Sequence, residues 1–319
     1  MLHELPIPAP LGYYGNVFKA RSLIRQINPD LLHAHFASGY GTLGRLTRYH
    51  PYILSVWGRD VYDFPDKSPL HHRILKKNLS VPEKICSTSQ VMADRTRAVG
   101  PSTLPPLSIV PFGVDIDTFS PKPMSNGSTN EIVIGTVKKL QEKYGIDILL
   151  RGFARARDQM QSRENGSSRL RLSIVGDGPQ RAALEQLSCR LGIAECTTFT
   201  GKVPHHEVPT RLHKLDIFVA VSRHDSESFG VAIIEALACQ CPVVVSDAGG
   251  LPEVVEDRKT GIVVPKEDVE ATTDAITELV TNSEKRRQMG RAGRRHVKSS
   301  YNWTSCLDRM EEVYDSVST

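Results

Sequence analysis

The sequence has little that would mark a secreted, metal-binding or membrane-spanning protein. Its six cysteines form no CxxC pair and no metal-ligand spacing with histidine, so neither a disulfide framework nor a zinc site is expected. The longest apolar runs, such as 217–221 and 242–245, fall far short of the ~20 residues that a bilayer requires. The first ten residues carry one acid and three prolines, unlike a signal peptide. We therefore expect a cytoplasmic protein with reduced thiols, whose membrane contact would be peripheral.

The chain also lacks a strong charge of either sign. Forty Lys and Arg against 36 Asp and Glu leave a net charge of +4, too small to indicate nucleic-acid binding. Hydrophobic residues make up 39% and charged residues 24% of the chain, as in ordinary folded proteins. A length of 319 residues corresponds to about two domains. These values predict a two-domain globular protein without a nucleic-acid partner.

Short β-branched runs alternate with longer helical patterns along the chain. They predict ten strands, at 31–35, 52–56, 84–87, 108–111, 131–136, 170–175, 196–200, 217–221, 242–246 and 261–264. Alternation of this kind is typical of βαβ units in parallel sheets. A segment rich in Pro, Gly, Ser and Asn follows the fourth strand and predicts an exposed linker. The predicted division is an N-terminal domain at 1–122, a linker at 123–130, a C-terminal domain at 131–300 and a C-terminal helix at 301–319.

The segment 224–239 carries the strongest indication of a ligand site. It follows the strand at 217–221 and predicts a helix that opens near Ser228, whose hydroxyl suits an N-cap. The backbone N–H groups of Phe229, Gly230 and Val231 would then have no intrahelical acceptor. First-turn N–H groups of this kind bind phosphate, so the segment predicts an anion site.

Two glutamates flank this predicted helix start. Glu227 stands just before it and Glu235 lies eight positions later, so the carboxylates would be spaced by about 12 Å along the axis. A ligand that spans a sugar, a diphosphate and a ribose would reach both. Glutamates at this spacing are also common on solvated helices, and the spacing alone does not distinguish the two interpretations.

Glu227 and Glu235, embedded in ESFGVAIIEALA, resemble the signature of the family 4 retaining glycosyltransferases. Other segments are similar to the same family in the same order: HAHF at 33–36, VWGRD at 56–60, VPFGVD at 110–115, IVGDGP at 174–179, PVVVSDAGGLPE at 242–253 and TGIVVP at 260–265. Together they cover nearly the whole chain. The resemblance implies an α/β protein of GT-B fold, with two Rossmann-like parallel-sheet domains facing a cleft.

The resemblance also implies transfer of a sugar from a nucleotide-diphosphate sugar to a hydroxyl of a glycan or lipid-linked acceptor. In the family, the first glutamate of the motif contacts the transferred sugar and the second holds the ribose hydroxyls, roles that carry over to Glu227 and Glu235. A basic pair five residues apart neutralises the diphosphate, and Lys138 and Lys143 match it, with Lys138 where Arg is more usual. Lys139 competes with Lys138 for this role. No metal is expected, since retaining GT-B enzymes normally do without one and no Asp-x-Asp cluster is placed to hold it. No cofactor is expected besides the nucleotide-sugar co-substrate.

Further candidates lie at the ends of other predicted strands. Gly176 and Gly178 end the strand at 170–175 and predict a turn that contacts the donor. On the acceptor side, His35 lies at a strand end, where open α/β sheets bind ligands. The family often has a His-Gly-x-Asp pattern after the next strand, and this chain has Trp57 in place of the histidine, followed by Asp60. Trp57 could stack on an acceptor sugar, and Asp60 is a candidate acceptor contact.

One departure from the family concerns the first domain. Family members open with a strand, a glycine-rich loop, a helix and a further strand before the equivalent of 29–33, so the first sheet is expected to be incomplete. A truncated gene product, a second polypeptide that supplies the missing units and a rearranged smaller domain are the alternatives.

The first hypothesis is a retaining glycosyltransferase of glycan or surface polysaccharide synthesis, working in the cytoplasm or at the inner face of the membrane. A nucleotide-sugar epimerase of the same fold is a second hypothesis. A nucleotide-sugar-binding fragment or subunit without independent activity is a third.

Overall fold

The computed structural model describes residues 2–121, 131–162 and 169–318. The chain divides into two compact units: unit 1 comprises Met1–Phe112 with Thr304–Thr319, and unit 2 comprises Gly113–Trp303. The predicted linker at 123–130 lies outside the described residues.

The division between the units comes earlier than the end of the predicted first domain at 122. The backbone of the residues that follow Gly113 is hydrogen-bonded to other parts of unit 2. Val114 forms an isolated β-bridge with Asn302. The guanidinium of Arg294 donates to the carbonyl oxygens of Ile116 and Phe119, at 2.8 and 2.6 Å. These hydrogen bonds, rather than the polar composition of the following segment, fix where unit 2 begins.

Unit 1 contains a four-stranded parallel sheet in the order β1-β2-β3-β4. Its strands are β1 (Leu32–His35), β2 (Tyr52–Ser55), β3 (Lys84–Ser87) and β4 (Leu107–Ile109). Its helices before residue 113 are α1 (Gly12–Gly15), α2 (Val17–Ile27), α3 (Gly39–Thr47), α4 (Pro69–Leu79) and α5 (Gln90–Val99). All four residues of β2 are buried, as expected for an inner strand of a parallel sheet. The hydroxyls of Ser68 and Ser89 cap α4 and α5 by accepting a first-turn N–H.

Unit 2 contains a six-stranded parallel sheet in the order β10-β9-β8-β5-β6-β7. Its strands are β5 (Glu131–Val137), β6 (Arg169–Val175), β7 (Thr197–Gly201), β8 (Ile217–Ala220), β9 (Val243–Ser246) and β10 (Gly261–Val264). Its helices are α6 (Ile146–Gln161), α7 (Arg181–Arg190), α8 (Val208–Leu212), α9 (Val231–Ala238), α10 (Leu251–Val254), α11 (Val269–Thr281) and α12 (Ser283–Ser300). The strand order reverses between β5 and β8, and open α/β sheets bind ligands at the carboxyl ends of strands at such a point.

All ten predicted strands are present, with ends that differ from the prediction by at most two residues. The β-branched runs identified them because strands of a parallel sheet are covered by helices and buried on both faces. In β8 and β9, for example, every residue is buried.

The last helix, α13 (Trp303–Asp315), packs on the sheet of unit 1 through Val313 and Tyr314. The Tyr314 hydroxyl lies 2.9 Å from Nδ1 of His33, and Oγ of Ser55 lies 2.8 Å from Nε2 of the same ring. Burial, with a smaller contribution from the neighbouring His35, lowers the pKa of His33 to about 3. The His33 imidazole is therefore neutral in the folded protein at neutral pH.

This neutral histidine predicts a stability that falls in acid. An unfolded histidine titrates near pH 6.5, so between about pH 6.5 and 3 the unfolded chain binds a proton at His33 that the folded chain does not. The contribution of His33 is fully present above that window and is lost as the pH falls through it, by up to about tenfold in the unfolding constant per pH unit. His33→Gln keeps two hydrogen-bonding atoms without titrating, and should flatten the decline. Urea midpoints at about pH 7.5 and pH 5 check this, and an equal decline in both proteins would contradict it.

Candidate functional site

Lys138 follows β5 directly, at the carboxyl end of the unit 2 sheet. Its Nζ lies 2.6 Å from Oε1 of Glu227, and the two side chains are only 13% and 12% exposed. The ring centroid of Tyr144 lies 4.8 Å from Nζ of Lys138 and 4.7 Å from Nζ of Lys143, within the range of a cation–π contact. The structure thus brings Lys138 to Glu227 and brings both predicted lysines to one aromatic ring. Lys139, the competing lysine, points to solvent.

The turn that carries Lys143 is held by Arg223, which the sequence analysis missed. The guanidinium of Arg223 makes two 2.7 Å hydrogen bonds to the Asp147 carboxylate and a 3.0 Å bond to the Glu142 carbonyl oxygen. The backbone N–H of Arg223 donates to the carbonyl oxygen of Lys143 at 2.8 Å. Burial raises the pKa of Asp147, and the Arg223 guanidinium outweighs it, so that the pKa is lowered overall. The pair stays charged, and its bidentate geometry fixes the turn.

Helix α9 begins later than the sequence predicts. Its first residue is Val231 and its N-cap is Gly230, with φ 92° and no side-chain cap, so Ser228 is not the N-cap. A left-handed residue interrupts the helix here, which glycine allows without steric cost. The first-turn N–H groups without an intrahelical acceptor are therefore those of Val231 and Ala232. Phe229 is buried at 3% exposure and contributes to the packing of unit 2.

Glu235 lies within α9 and is 6% exposed. Its Oε1 lies 2.8 Å from Nε2 of His205, in the turn that follows β7. Burial raises the pKa of Glu235, while the hydrogen bond from His205 and the charges of His205 and Lys138 limit the rise. Lys138 thus contacts the first glutamate and acts electrostatically on the second. His205 was missed because nothing in the sequence pairs residue 205 with residue 235.

Gly176 and Gly178 have a backbone role next to Lys138. A Cβ at Gly176, where φ is 136°, would lie 1.9 Å from the carbonyl oxygen of Lys138. A Cβ at Gly178 would lie 2.4 Å from another carbonyl oxygen of the same loop. The N–H groups of both glycines donate to oxygens within unit 2, at 2.8 and 2.7 Å. These glycines let the turn after β6 pack on the backbone that carries Lys138. Their predicted contact with the donor stays a prediction.

In unit 1, His35 and Trp57 come together as neighbours. Their ring centroids are 5.3 Å apart, and the centroid of Phe112 lies 5.4 Å from that of Trp57, both in edge arrangements. Trp57 is 39% exposed. Contacts with two other rings restrict the orientation of the indole, and its exposed part remains a candidate for stacking on a sugar.

Asp60 is placed differently from the prediction. It is 1% exposed, and its carboxylate accepts hydrogen bonds from the backbone N–H groups of Ala37, Gly58 and Trp57, at 2.7, 2.9 and 3.1 Å. This burial argues against the predicted acceptor contact. Asp60 instead joins the loop after β1 to the loop after β2 and so positions Trp57.

No helix in 2–121, 131–162 or 169–318 is long and apolar enough to cross a membrane. In the same ranges, no three His, Cys, Asp or Glu side chains are grouped so as to hold a metal ion.

The comparison with protein families decides the family. The model of the glycosyl transferases group 1 matches residues 121–296, and the glycosyl transferase 4-like model matches residues 2–89. The chain belongs to the glycosyl transferases group 1 family. The family membership that the motifs predict is therefore confirmed, while the retaining mechanism stays a prediction.

Curated relatives of this family match most of the chain. The chain is 33% identical, over 228 residues, to a GDP-mannose-dependent alpha-(1-6)-phosphatidylinositol monomannoside mannosyltransferase of Mycolicibacterium smegmatis, covering 68% of this chain and 57% of the relative. It is 28% identical to a D-inositol 3-phosphate glycosyltransferase of Corynebacterium jeikeium, covering 99% of this chain and 79% of the relative. The match therefore spans little more than half the length of the mannosyltransferase.

Solved structures of the same architecture align with nearly the whole chain. Sucrose-phosphate synthase from Thermosynechococcus elongatus gives a TM-score of 0.82 at 22% identity, covering 99% of this chain and 84% of that one. HepE from Anabaena, in complex with UDP, gives a TM-score of 0.81 at 19% identity, covering 96% and 84%. At these identities the likeness shows the fold alone, and it confirms the predicted GT-B class.

The glycine at 176 provides a test of this local architecture. Gly176→Ala places a methyl group against the Lys138 carbonyl. The backbone must move to make room, because the atoms that the methyl group would meet are backbone atoms and not the end of a flexible side chain. We expect a loss of about 3 kcal/mol in the free energy of unfolding from strain and overpacking together. Gly192→Ala is the matched control, since Gly192 also has a positive φ, at 67°, but nothing within 4 Å; it should lose only about 1 kcal/mol. Urea denaturation measures both, and equal losses would contradict the close approach.

Proposed function

We propose that this chain transfers a sugar from a nucleotide-diphosphate sugar to an acceptor hydroxyl, with retention of the anomeric configuration, in glycan or surface polysaccharide synthesis. The observation that carries the proposal is the contact of Lys138 with Glu227, 2.6 Å apart and largely shielded from water. A cation and a carboxylate at the carboxyl end of β5, beside the reversal in strand order, occupy the position where such sheets bind ligands.

The charges of this pair suit the proposed reaction. The bond between the anomeric carbon and a phosphate oxygen breaks, the acceptor oxygen bonds to the anomeric carbon, and the acceptor proton leaves with the diphosphate. Negative charge accumulates on the diphosphate and positive charge on the sugar. Lys138 and Lys143 would stabilise the diphosphate, and Glu227 would face the sugar. Because two ammonium groups supply this positive charge, we propose a reaction without a metal or other cofactor, whose rate a chelator leaves unchanged.

The remaining donor contacts follow from α9. Its N-terminus presents the N–H groups of Val231 and Ala232 to a phosphate, and Glu235, near the middle of the helix, would hold the ribose hydroxyls. The mannosyltransferase relative is GDP-mannose-dependent by name, and the fold neighbour HepE was crystallised with UDP. We therefore propose GDP-mannose and UDP-glucose as the first donors to test.

For the acceptor, we propose contacts from unit 1, where the partly exposed Trp57 lies beside His35. The mannosyltransferase relative acts, by name, on a phosphatidylinositol monomannoside. A lipid-linked glycan acceptor would bring the protein into peripheral contact with a membrane, at its cytoplasmic face. Phosphatidylinositol and its monomannoside are accordingly the first acceptors to test.

The role of Lys138 can be separated from that of a general surface charge. Lys138→Ala removes the cation beside Glu227, and should lower the rate of sugar transfer by about 10²–10³-fold because charge stabilisation of the leaving group is lost. Lys139→Ala removes the adjacent exposed lysine and should stay within about twofold of the unchanged protein. Release of nucleoside diphosphate from donor and acceptor together, with chromatography of the products, measures both variants.

The products of this assay separate the alternatives. A new glycosidic bond of unchanged anomeric configuration is the expected result. Free epimerised sugar nucleotide would indicate an epimerase, and donor binding without turnover would indicate a binding subunit. Equal losses in the two lysine variants would contradict the assignment of Lys138.

A further inference from the structure

The turn His205–Glu207, after β7, carries a histidine that none of the proposed chemistry uses. Nε2 of His205 lies 2.8 Å from Oε1 of Glu235. We propose that His205 is a positioning residue for the nucleotide ribose: it holds one oxygen of the Glu235 carboxylate so that the other faces the ribose hydroxyls. This inference rests on the proposed function, in which Glu235 is the ribose contact.

The two oxygens of the Glu235 carboxylate have different surroundings. Among the side chains and backbone groups of the described residues, His205 is a hydrogen-bond partner of Glu235 Oε1, whereas Oε2 has no such partner. The side chain is 8% exposed while that of His205 is 74% exposed, so the histidine approaches from the solvent side of a buried acid. A carboxylate fixed at one oxygen loses less conformational freedom when a ligand binds the other.

The histidine ring is itself supported by the protein. Its centroid lies 5.5 Å from that of Phe119, which is 2% exposed. The backbone of Phe119 is in turn held by Arg294, whose guanidinium donates to its carbonyl oxygen at 2.6 Å. The support of His205 therefore comes from the same hydrogen bonds that fix the start of unit 2.

His205 also supports the charge of Glu235. The ionisable groups that act on Glu235 are His205 after β7 and Lys138 after β5, both of which lower its pKa against the effect of burial. Four residues after Glu235, directly after the end of α9, lies Cys239, whose pKa burial raises to about 12, so that it remains a neutral thiol. Without His205, only Lys138 opposes the burial of the carboxylate. The carboxyl would then ionise at higher pH, and nucleotide binding would follow it.

Calorimetric titration with ribonucleotides and their 2′,3′-dideoxy analogues tests this role. The probes are GDP, UDP and the corresponding dideoxynucleoside diphosphates. His205→Phe keeps an aromatic ring against Phe119 but cannot donate a hydrogen bond, and should bind the ribonucleotide about tenfold more weakly while binding the dideoxy analogue as before. His205→Gln restores a donor and should recover most of the loss. His206→Ala, which removes the adjacent exposed histidine, is the matched control and should bind like the unchanged protein.

The pH profile gives a second readout that a purely structural effect would not move. As the pH is lowered, the affinity of His205→Phe for the ribonucleotide should begin to fall at a higher pH than that of the unchanged protein, since the Glu235 carboxyl of the variant takes up its proton earlier. Parallel profiles for the two proteins would overturn the electrostatic part of the inference.

The other outcomes distinguish this inference from the function on which it rests. Equal weakening of ribo and dideoxy ligands in His205→Phe, or no weakening, would overturn the role of His205 and leave the donor site intact. Equal affinity of the unchanged protein for both ligands would show that Glu235 does not hold the ribose. The role of His205 would then be overturned as well, while nucleotide binding itself would stand. If the unchanged protein binds neither GDP nor UDP, the proposed function fails and this inference fails with it.

Discussion

The contact between the Lys138 ammonium and the Glu227 carboxylate is the interaction on which the account of unit 2 depends. Both groups are removed from most of the surrounding water, and desolvation of this kind offsets much of the attraction between paired charges. Stability alone therefore does not explain the pair. Its value lies in holding a cation and an anion in fixed positions before a ligand arrives, which is how electrostatic catalysis avoids reorganisation during the reaction.

The backbone around the pair is arranged to keep it in place. The turn after β6 approaches the Lys138 carbonyl so closely that only glycine fits at position 176. The loop that carries Glu227 is approached in the same way, since Cβ atoms at Gly249 and Gly250 would lie 2.4 and 2.1 Å from the carbonyl oxygens of Glu227 and Ser228. Gly250 also donates its N–H to the Glu227 carbonyl at 3.0 Å. Glycines thus serve the site mainly by allowing loops from different strands to meet.

Much of this architecture could be predicted from the sequence, because parallel strands covered on both faces require long apolar runs. The ten strands and the placing of Lys138 after β5 follow from that pattern. The start of α9 could not be predicted in the same way. A serine followed by an apolar run suggests an N-cap at 228, whereas the left-handed backbone at Gly230 delays the helix. The local sequence does not reveal that Gly230 has a left-handed backbone, because glycine adopts left-handed and right-handed conformations with similar ease.

The residues that were missed or misplaced depend on contacts between distant parts of the chain. His205 meets Glu235 across thirty positions, and Arg223 reaches back to Asp147. Asp60 looks like an exposed loop carboxylate in the sequence, yet three backbone N–H groups from two loops surround it. Spacing along the chain gives no indication of such partners, since they are defined only once the strands are side by side.

The central claim, that unit 2 binds a nucleoside diphosphate through α9 and its neighbours, is tested most directly by calorimetric titration of the chain and its Glu235→Gln variant. We expect the unchanged protein to bind GDP or UDP and the variant to bind the same nucleotide at least about tenfold more weakly. Glu270→Gln, an exposed glutamate of α11 in the same unit, should bind as the unchanged protein does. Absence of binding by a folded unchanged protein, or equal affinity in the Glu235 variant, would contradict the account.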